Sequence, residues 1–304
     1  MEPLITKATT PSGDAVSAPR PVRALLDRFS EWIRRLGRTP RIGLALGSGA
    51  SWGVAHIGVL SAFHELNIPI SFLSGTSSGS LVGALYAGGL EGPPLEAYGK
   101  EYRWSDAGRL RYFPKMGLAS NERMGEYLEK RIGKPLLENL RIPFQVVATD
   151  LQSGKPRVFN KGPVIPAVLA SCAIPGIFEP VEIEGRLYCD GGLVDPLPCR
   201  ILKEAGADMV IGVELSAMFE KRKRPSTIVE VISRALEIAL IRPLASENQP
   251  ADLIIRPNLD DIREFGFDQN DLLIQRGKQE ALDRLRQWTA YRQASEGPRT
   301  ETTV

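Results

Sequence analysis

Residues 75–79 read Gly-Thr-Ser-Ser-Gly, a G-x-S-x-G pattern set between a short apolar run (Ile70, Phe72, Leu73) and a stretch of helical character, Leu81 to Tyr86. Strand, tight turn and helix is the setting in which such a pentapeptide presents a nucleophile. Gly75 and Gly79 let the chain bend where a side chain would clash. Ser77 then projects from the tip of the turn, at a helix N-terminus whose free N–H groups favour developing negative charge. Alone the pentapeptide is weak, because Gly and Ser are common loop residues. A serine nucleophile also needs a base. The chain has two histidines, His56 and His64, and both precede Ser77. An α/β-hydrolase triad runs serine, acid, histidine along the chain, so that order cannot be built. His64 reads as the exposed end of a helix, and His56 as a packing or helix-terminal residue. A carboxylate is therefore the expected base.

Three further stretches carry candidate chemistry. Gly47-Ser48-Gly49-Ala50-Ser51-Trp52-Gly53 lies between an apolar strand and a helix. Its small residues let backbone N–H groups converge on an anion, either a phosphate or an oxyanion. A dinucleotide site, and with it a nucleotide-binding oxidoreductase, would need an acidic residue at the end of the next strand to hold the ribose. That strand instead runs into Ser74-Gly75 and the elbow, which disfavours the reading. Asp190-Gly191-Gly192 follows a predicted hairpin and, by itself, is also a common turn signal. Ala170-Ser171-Cys172-Ala173-Ile174-Pro175-Gly176-Ile177-Phe178-Glu179-Pro180 by itself reads only as a helix, a proline stop and an apolar anchor.

In this order, the glycine loop, the Gly-Thr-Ser-Ser-Gly elbow, the Ala-Ser…Pro…Phe…Pro segment and Asp-Gly-Gly resemble the patatin-like phospholipase family over about residues 41–214. The resemblance is nearest to bacterial members grouped with the neuropathy target esterase catalytic domain, and Ala148-Thr149-Asp150 fits that branch. It implies a three-layer α/β/α fold with a mainly parallel sheet and a Ser–Asp dyad acting on acyl esters of lipids, with no cofactor and no metal. Ser77 takes the nucleophile's place and Asp190 the base's. Gly47, Ser48, Gly49 and Ala50 fall at the oxyanion loop, and Gly191 and Gly192 at the turn beside the base. Asp150 is the rival carboxylate, with a strand-end or loop-supporting role preferred. One departure stands out. The family usually carries Arg or Lys just before the last glycine of its loop, where this chain has Trp52, expected to offer an apolar acyl contact. That change also raises the alternative of a weakly active or silent relative serving as a binding or regulatory protein.

The remaining chain must position these groups. Short apolar runs at Ile42–Leu46, Ile68–Ser74, Phe144–Ala148, Met209–Val213 and Leu253–Ile255 alternate with helical stretches, among them Val54–Leu66, Pro94–Arg103, Asn121–Ile132, Val164–Ala173, Thr227–Leu240 and Asp271–Ala290. Such alternation predicts a mainly parallel sheet covered on both faces. A domain over 41–214 is expected, with 215–292 as its C-terminal extension and disordered tails at 1–19 and 293–304. Residues 20–41 set Leu25, Leu26, Phe29, Trp32 and Ile33 at helical spacing among seven arginines. This basic amphipathic helix either packs on the domain or lies on an anionic membrane surface. Lys221–Arg224 is a second basic run, either a solvated loop or a contact for anionic lipid heads.

A net charge of +2 gives no argument for nucleic acid. No apolar run approaches the roughly 18 residues of a membrane span, and the polar N-terminus lacks the apolar core of an export signal. Three cysteines, Cys172, Cys189 and Cys199, have no metal spacing and read as reduced, structural thiols. A cytoplasmic protein is expected, with peripheral contact to the inner membrane face open. Oligomeric state is not legible.

Overall fold

Each expected strand supplies side chains to both faces of one sheet. The computed structural model describes residues 38–103, 106–112, 116–215, 250–262 and 269–295, and within 224–238 all but 229, 233, 236 and 237. The tail at 1–19, most of the basic segment at 20–41 and residues 221–223 lie outside them. The sheet has eight strands: β1 (Ile42–Leu46), β2 (Phe72–Thr76), β5 (Phe144–Asp150), β6 (Pro156–Phe159), β8 (Val181–Ile183), β9 (Arg186–Asp190), β10 (Met209–Val213) and β11 (Leu253–Ile255). Strand pairing runs in the order β11-β10-β1-β2-β5-β9-β8, with β6 also paired to β5. The first four junctions are parallel and those of β5, β6, β8 and β9 antiparallel. A smaller sheet joins β3 (Arg109–Leu110), β4 (Gly117–Ser120) and β7 (Gly176–Phe178).

Period-two alternation explains the three layers. In β1, Ile42, Leu44 and Leu46 enter the large core, while Ala45 enters a second core with Leu197, Cys199 and Leu202. In β10, Met209, Ile211 and Val213 face the large core and Val210 the small one. The large face is covered by α1 (Val54–Glu65), α2 (Ser78–Ala87), α3 (Gly92–Glu101), α4 (Glu122–Ile132), α5 (Val164–Ser171) and α7 (Asn270–Ser295). The small face is covered by α6 (Arg200–Glu204) and the chain beside it. This is the three-layer α/β/α arrangement with a mainly parallel sheet that the pattern predicts.

Several boundaries differ from expectation by a few residues, and two of the shifts have clear local reasons. β2 begins at Phe72 rather than Ile68, because Ile68 N–H closes the end of α1 on the Phe63 carbonyl at 2.9 Å. Asn67, at φ 49°, makes that left-handed helix cap, and Pro69 has no N–H to give a ladder. α7 runs to Ser295, past the expected end at Ala290, since no breaker precedes Gly297-Pro298.

The register around β5 brings distant residues together. β2 lies parallel to β5 with Thr76 opposite Val147. β9 lies antiparallel with Asp190 opposite Ala148. β6 pairs with Val146 through Thr149, so it occupies the other edge at both positions. A strand has only two edges, so β2 and β9 share one, and their C-terminal ends converge between Val147 and Ala148.

Candidate active site

Ser77 follows directly on β2 and opens α2. Its φ of 53° and ψ of −125° is a conformation that L-residues rarely adopt, so the surroundings must hold it. They do so through its own backbone. Ser77 N–H donates to Ser171 Oγ at 2.8 Å, and the Ser171 hydroxyl donates to the Val147 carbonyl at 2.6 Å. The Ser77 carbonyl accepts from Ser80 N–H (2.8 Å), Ser80 Oγ (2.7 Å) and Cys172 Sγ (3.1 Å). The flanking glycines allow the tight path. A Cβ on Gly75 would lie 2.7 Å from the Gly79 carbonyl oxygen, and one on Gly79 would fall on the carbonyl of Leu46.

Asp190 ends β9 and reaches the same point from the other side. Its N–H donates to the Ala173 carbonyl at 2.9 Å, and its carbonyl accepts from Thr149 Oγ1 at 2.7 Å. Ser77 Oγ donates to Asp190 Oδ2 at 2.6 Å, and Gly192 N–H donates to Oδ1 at 2.8 Å. Both residues are buried. Burial pushes the Asp190 carboxyl up to about 6, against the downward pull of the two hydrogen bonds. A buried carboxylate poised near neutrality and hydrogen-bonded to a serine hydroxyl can take its proton.

The glycine loop is less uniform than its sequence. Gly47 N–H donates to the Val213 carbonyl (3.0 Å) and Ser48 N–H to that of Pro196 (2.8 Å). Contrary to expectation, these two amides already have acceptors and are not free to face an oxyanion. Gly49 and Ala50 instead open a 3-10 turn at Ala50–Gly53, where the first amides have no intrahelical acceptor. His56 is buried, and its Nε2–H donates to the Gly47 carbonyl at 2.8 Å. Burial lowers its pKa to about 4, so it is a neutral brace for the loop.

Asp150 is occupied elsewhere. Its Oδ1 accepts from Gln152 N–H (2.9 Å) and Ser153 N–H (3.3 Å), and its Oδ2 from Arg186 Nε (2.8 Å). It ties the β5–β6 turn to β9. Trp52 is buried in the large core, and a cavity beside Ser77 is lined without it. Where Trp52 was expected, the apolar lining consists of residues including Val54, Ile57, Leu81, Met124, Ile174 and Phe178. Counting its open mouth, the cavity holds about 640 Å³ of empty space. Residues 44–203 match the family model described as "Patatin-like phospholipase".

The chain belongs to the patatin-like phospholipase family. An NTE family protein of Mycobacterium tuberculosis, itself uncharacterized, is 37% identical over 186 residues, which cover 59% of this chain and 50% of that protein. Lysophospholipase nte1 of Aspergillus fumigatus is 28% identical over 281 residues, covering 82% of this chain and 18% of the fungal protein. The chain thus spans about half or less of these relatives. VipD from Legionella pneumophila has a similar fold, with a TM-score of 0.50 and 12% identity, covering 82% of this chain and 67% of VipD.

Within this patatin fold, sequence reading missed the roles of Ser171, Cys172 and Thr149, although all three lie in stretches it singled out. Their bonds to Ser77, Val147 and Asp190 depend on contacts that no spacing encodes. All three cysteines are free and buried, and burial raises each thiol far above its ordinary range. Among the described residues no group of His, Cys, Asp and Glu is arranged for a metal ion, and no helix is long and apolar enough to cross a membrane.

Proposed function

We propose that this chain is a serine acyl hydrolase that cleaves lipid acyl esters through a Ser77–Asp190 dyad. One observation carries the reading: Ser77 Oγ, on a strained elbow at an apolar cavity, lies 2.6 Å from a buried Asp190 carboxylate oxygen. Asp190 takes the hydroxyl proton as Ser77 attacks the ester carbonyl. The alcohol leaves with that proton, and water, activated by Asp190, cleaves the acyl-enzyme. The N–H groups of Gly49 and Ala50 receive the oxyanion, each worth about 3 kcal/mol of transition-state stabilisation. The cavity takes the acyl chain. The phospholipase family and the name of the fungal relative support a phospholipid or lysophospholipid as substrate.

A lipid substrate also calls for contact with an anionic membrane surface, and the basic runs at 20–41 and 221–224 supply cations for it. Two of those cations have another partner: Arg38 and Arg41 both bond Asp208 on the domain, at 2.7 and 3.5 Å. Fluorophosphonate labelling and short-chain ester hydrolysis test the chemistry. Both are expected in the intact protein and both are lost in Ser77→Ala. Hydrolysis that survives Ser77→Ala overturns the reading.

A further inference from the structure

Large apolar side chains are exposed on two elements far apart in the sequence. In the β3–β4 arm, Leu110 is 83% exposed, Tyr112 95% and Met116 56%. The second element is helical at 228, 230–232, 234–235 and 238. It starts with a capping box in which the Glu230 carboxylate accepts from Ser226 and Thr227 N–H, while Thr227 Oγ1 accepts from Glu230 N–H. Ile228, Val231, Ala235 and Ile238 are all exposed, at i, i+3, i+7 and i+10. That spacing is one apolar stripe turned to solvent.

Both elements abut β7. Gly117, next to Met116, pairs with Gly176. A Cβ on Gly176 would lie 3.7 Å from Ile232 Cδ1, next to Val231. Two residues along β7, Phe178 lines the Ser77 cavity. Exposed cations, Arg109 and Arg224, stand at one end of each apolar set. Apolar residues beside exposed arginines suit the boundary between acyl chains and anionic headgroups better than a protein core.

We infer that Leu110, Tyr112 and Met116, together with the stripe of Ile228, Val231, Ala235 and Ile238, form a surface that docks on an anionic lipid bilayer and borders the entrance to the Ser77 cavity. The inference rests on the proposed lipid substrate. It differs from contact through the basic runs alone, because burial of apolar side chains does the holding and charge adds to it.

The test uses the full chain, with Ile228→Ser/Val231→Ser and, independently, Leu110→Ser/Tyr112→Ser. Cosedimentation with vesicles of phosphatidylcholine and phosphatidylglycerol is measured beside hydrolysis of a soluble short-chain ester. Each pair is expected to lower vesicle partitioning about tenfold or more while leaving soluble ester turnover within about twofold. Retained turnover also shows that each variant is folded. Unchanged partitioning in both pairs overturns the proposal. So does a monomer–dimer equilibrium that shifts in sedimentation velocity while vesicle binding stays intact, since a second copy would then cover the face. Failure of the dyad reading is separate: it appears as soluble ester hydrolysis that survives Ser77→Ala.

Discussion

Ser77 and Asp190 lie 113 positions apart in sequence and share a 2.6 Å hydrogen bond. The carboxyl's upward shift to about 6 comes from burial, so its charge state is set inside the physiological range. As a general base Asp190 must be ionised. The pH profile of kcat/KM on a soluble ester is expected to rise through an apparent pKa near 6 and to level off above it. A limb near 4 would show an ordinary, solvated carboxyl.

The same shift has a stability consequence. The unfolded carboxyl titrates near ~3.9 and the folded one near 6. The folded state therefore binds the proton more tightly. This contribution is complete below pH ~3.9 and is lost as pH rises through 6, a loss on the order of 3 kcal/mol. Asp190→Asn, neutral and of similar shape, escapes that loss. It is expected to be inactive yet more stable than wild type at pH 8, by about 1–3 kcal/mol, with little difference at pH 4. Urea denaturation at the two pH values checks this. Asp195, half-buried and also raised to about 6 by desolvation, leaves a residual slope in both proteins.

Backbone conformation at the elbow predicts a split between two inactive variants. Ser77→Ala keeps a Cβ at φ 53°, whereas Ser77→Gly does not. The glycine variant is expected to be more stable than the alanine variant by about 1 kcal/mol. Both should lose at least about 10³-fold in turnover. Equal melting temperatures would mean that the elbow carries no strain.

Ser171 is a positioning residue. Ser171→Ala leaves a buried Ser77 N–H and the Val147 carbonyl without their bridging hydroxyl. A loss of about 1–3 kcal/mol in stability is expected, together with a fall in kcat at nearly unchanged KM. A change confined to stability would make the residue a packing element only.

Trp52 belongs to the core and not to the cavity lining. Trp52→Phe is expected to shift stability by roughly 1–3 kcal/mol without altering the preference for acyl length across a series of p-nitrophenyl esters. A changed chain-length profile would return Trp52 to the acyl site.

The elbow and Asp190-Gly191-Gly192 were legible locally only as turns, and it was their order along the chain, with the family it resembles, that implied a role for Asp190. With both histidines before Ser77, a carboxylate is the base the sequence leaves available. The glycine loop was legible as a loop but not amide by amide. Gly47 and Ser48 lose their donors to Val213 and Pro196, whose arrival depends on how β10 and the chain before α6 pack. The role of Ser171 was hidden for the same reason, since a serine in an apolar helix says nothing about the strand end it will meet. The arm formed by β3 and β4 was missed because a two-residue and a four-residue strand leave too few positions for alternation to register.

The convergence of β2 and β9 on one edge of β5 makes the distance between Ser77 and Asp190 a property of consecutive rungs, Val147 and Ala148, roughly 3.3 Å apart along the strand. No surface loop enters that measurement. Segments around the rim can be lengthened, exchanged or recharged, altering which molecules are admitted, while Ser77 and Asp190 keep their spacing. The three strands amount to a portable gauge for the proposed dyad, set by the sheet and not by what surrounds it.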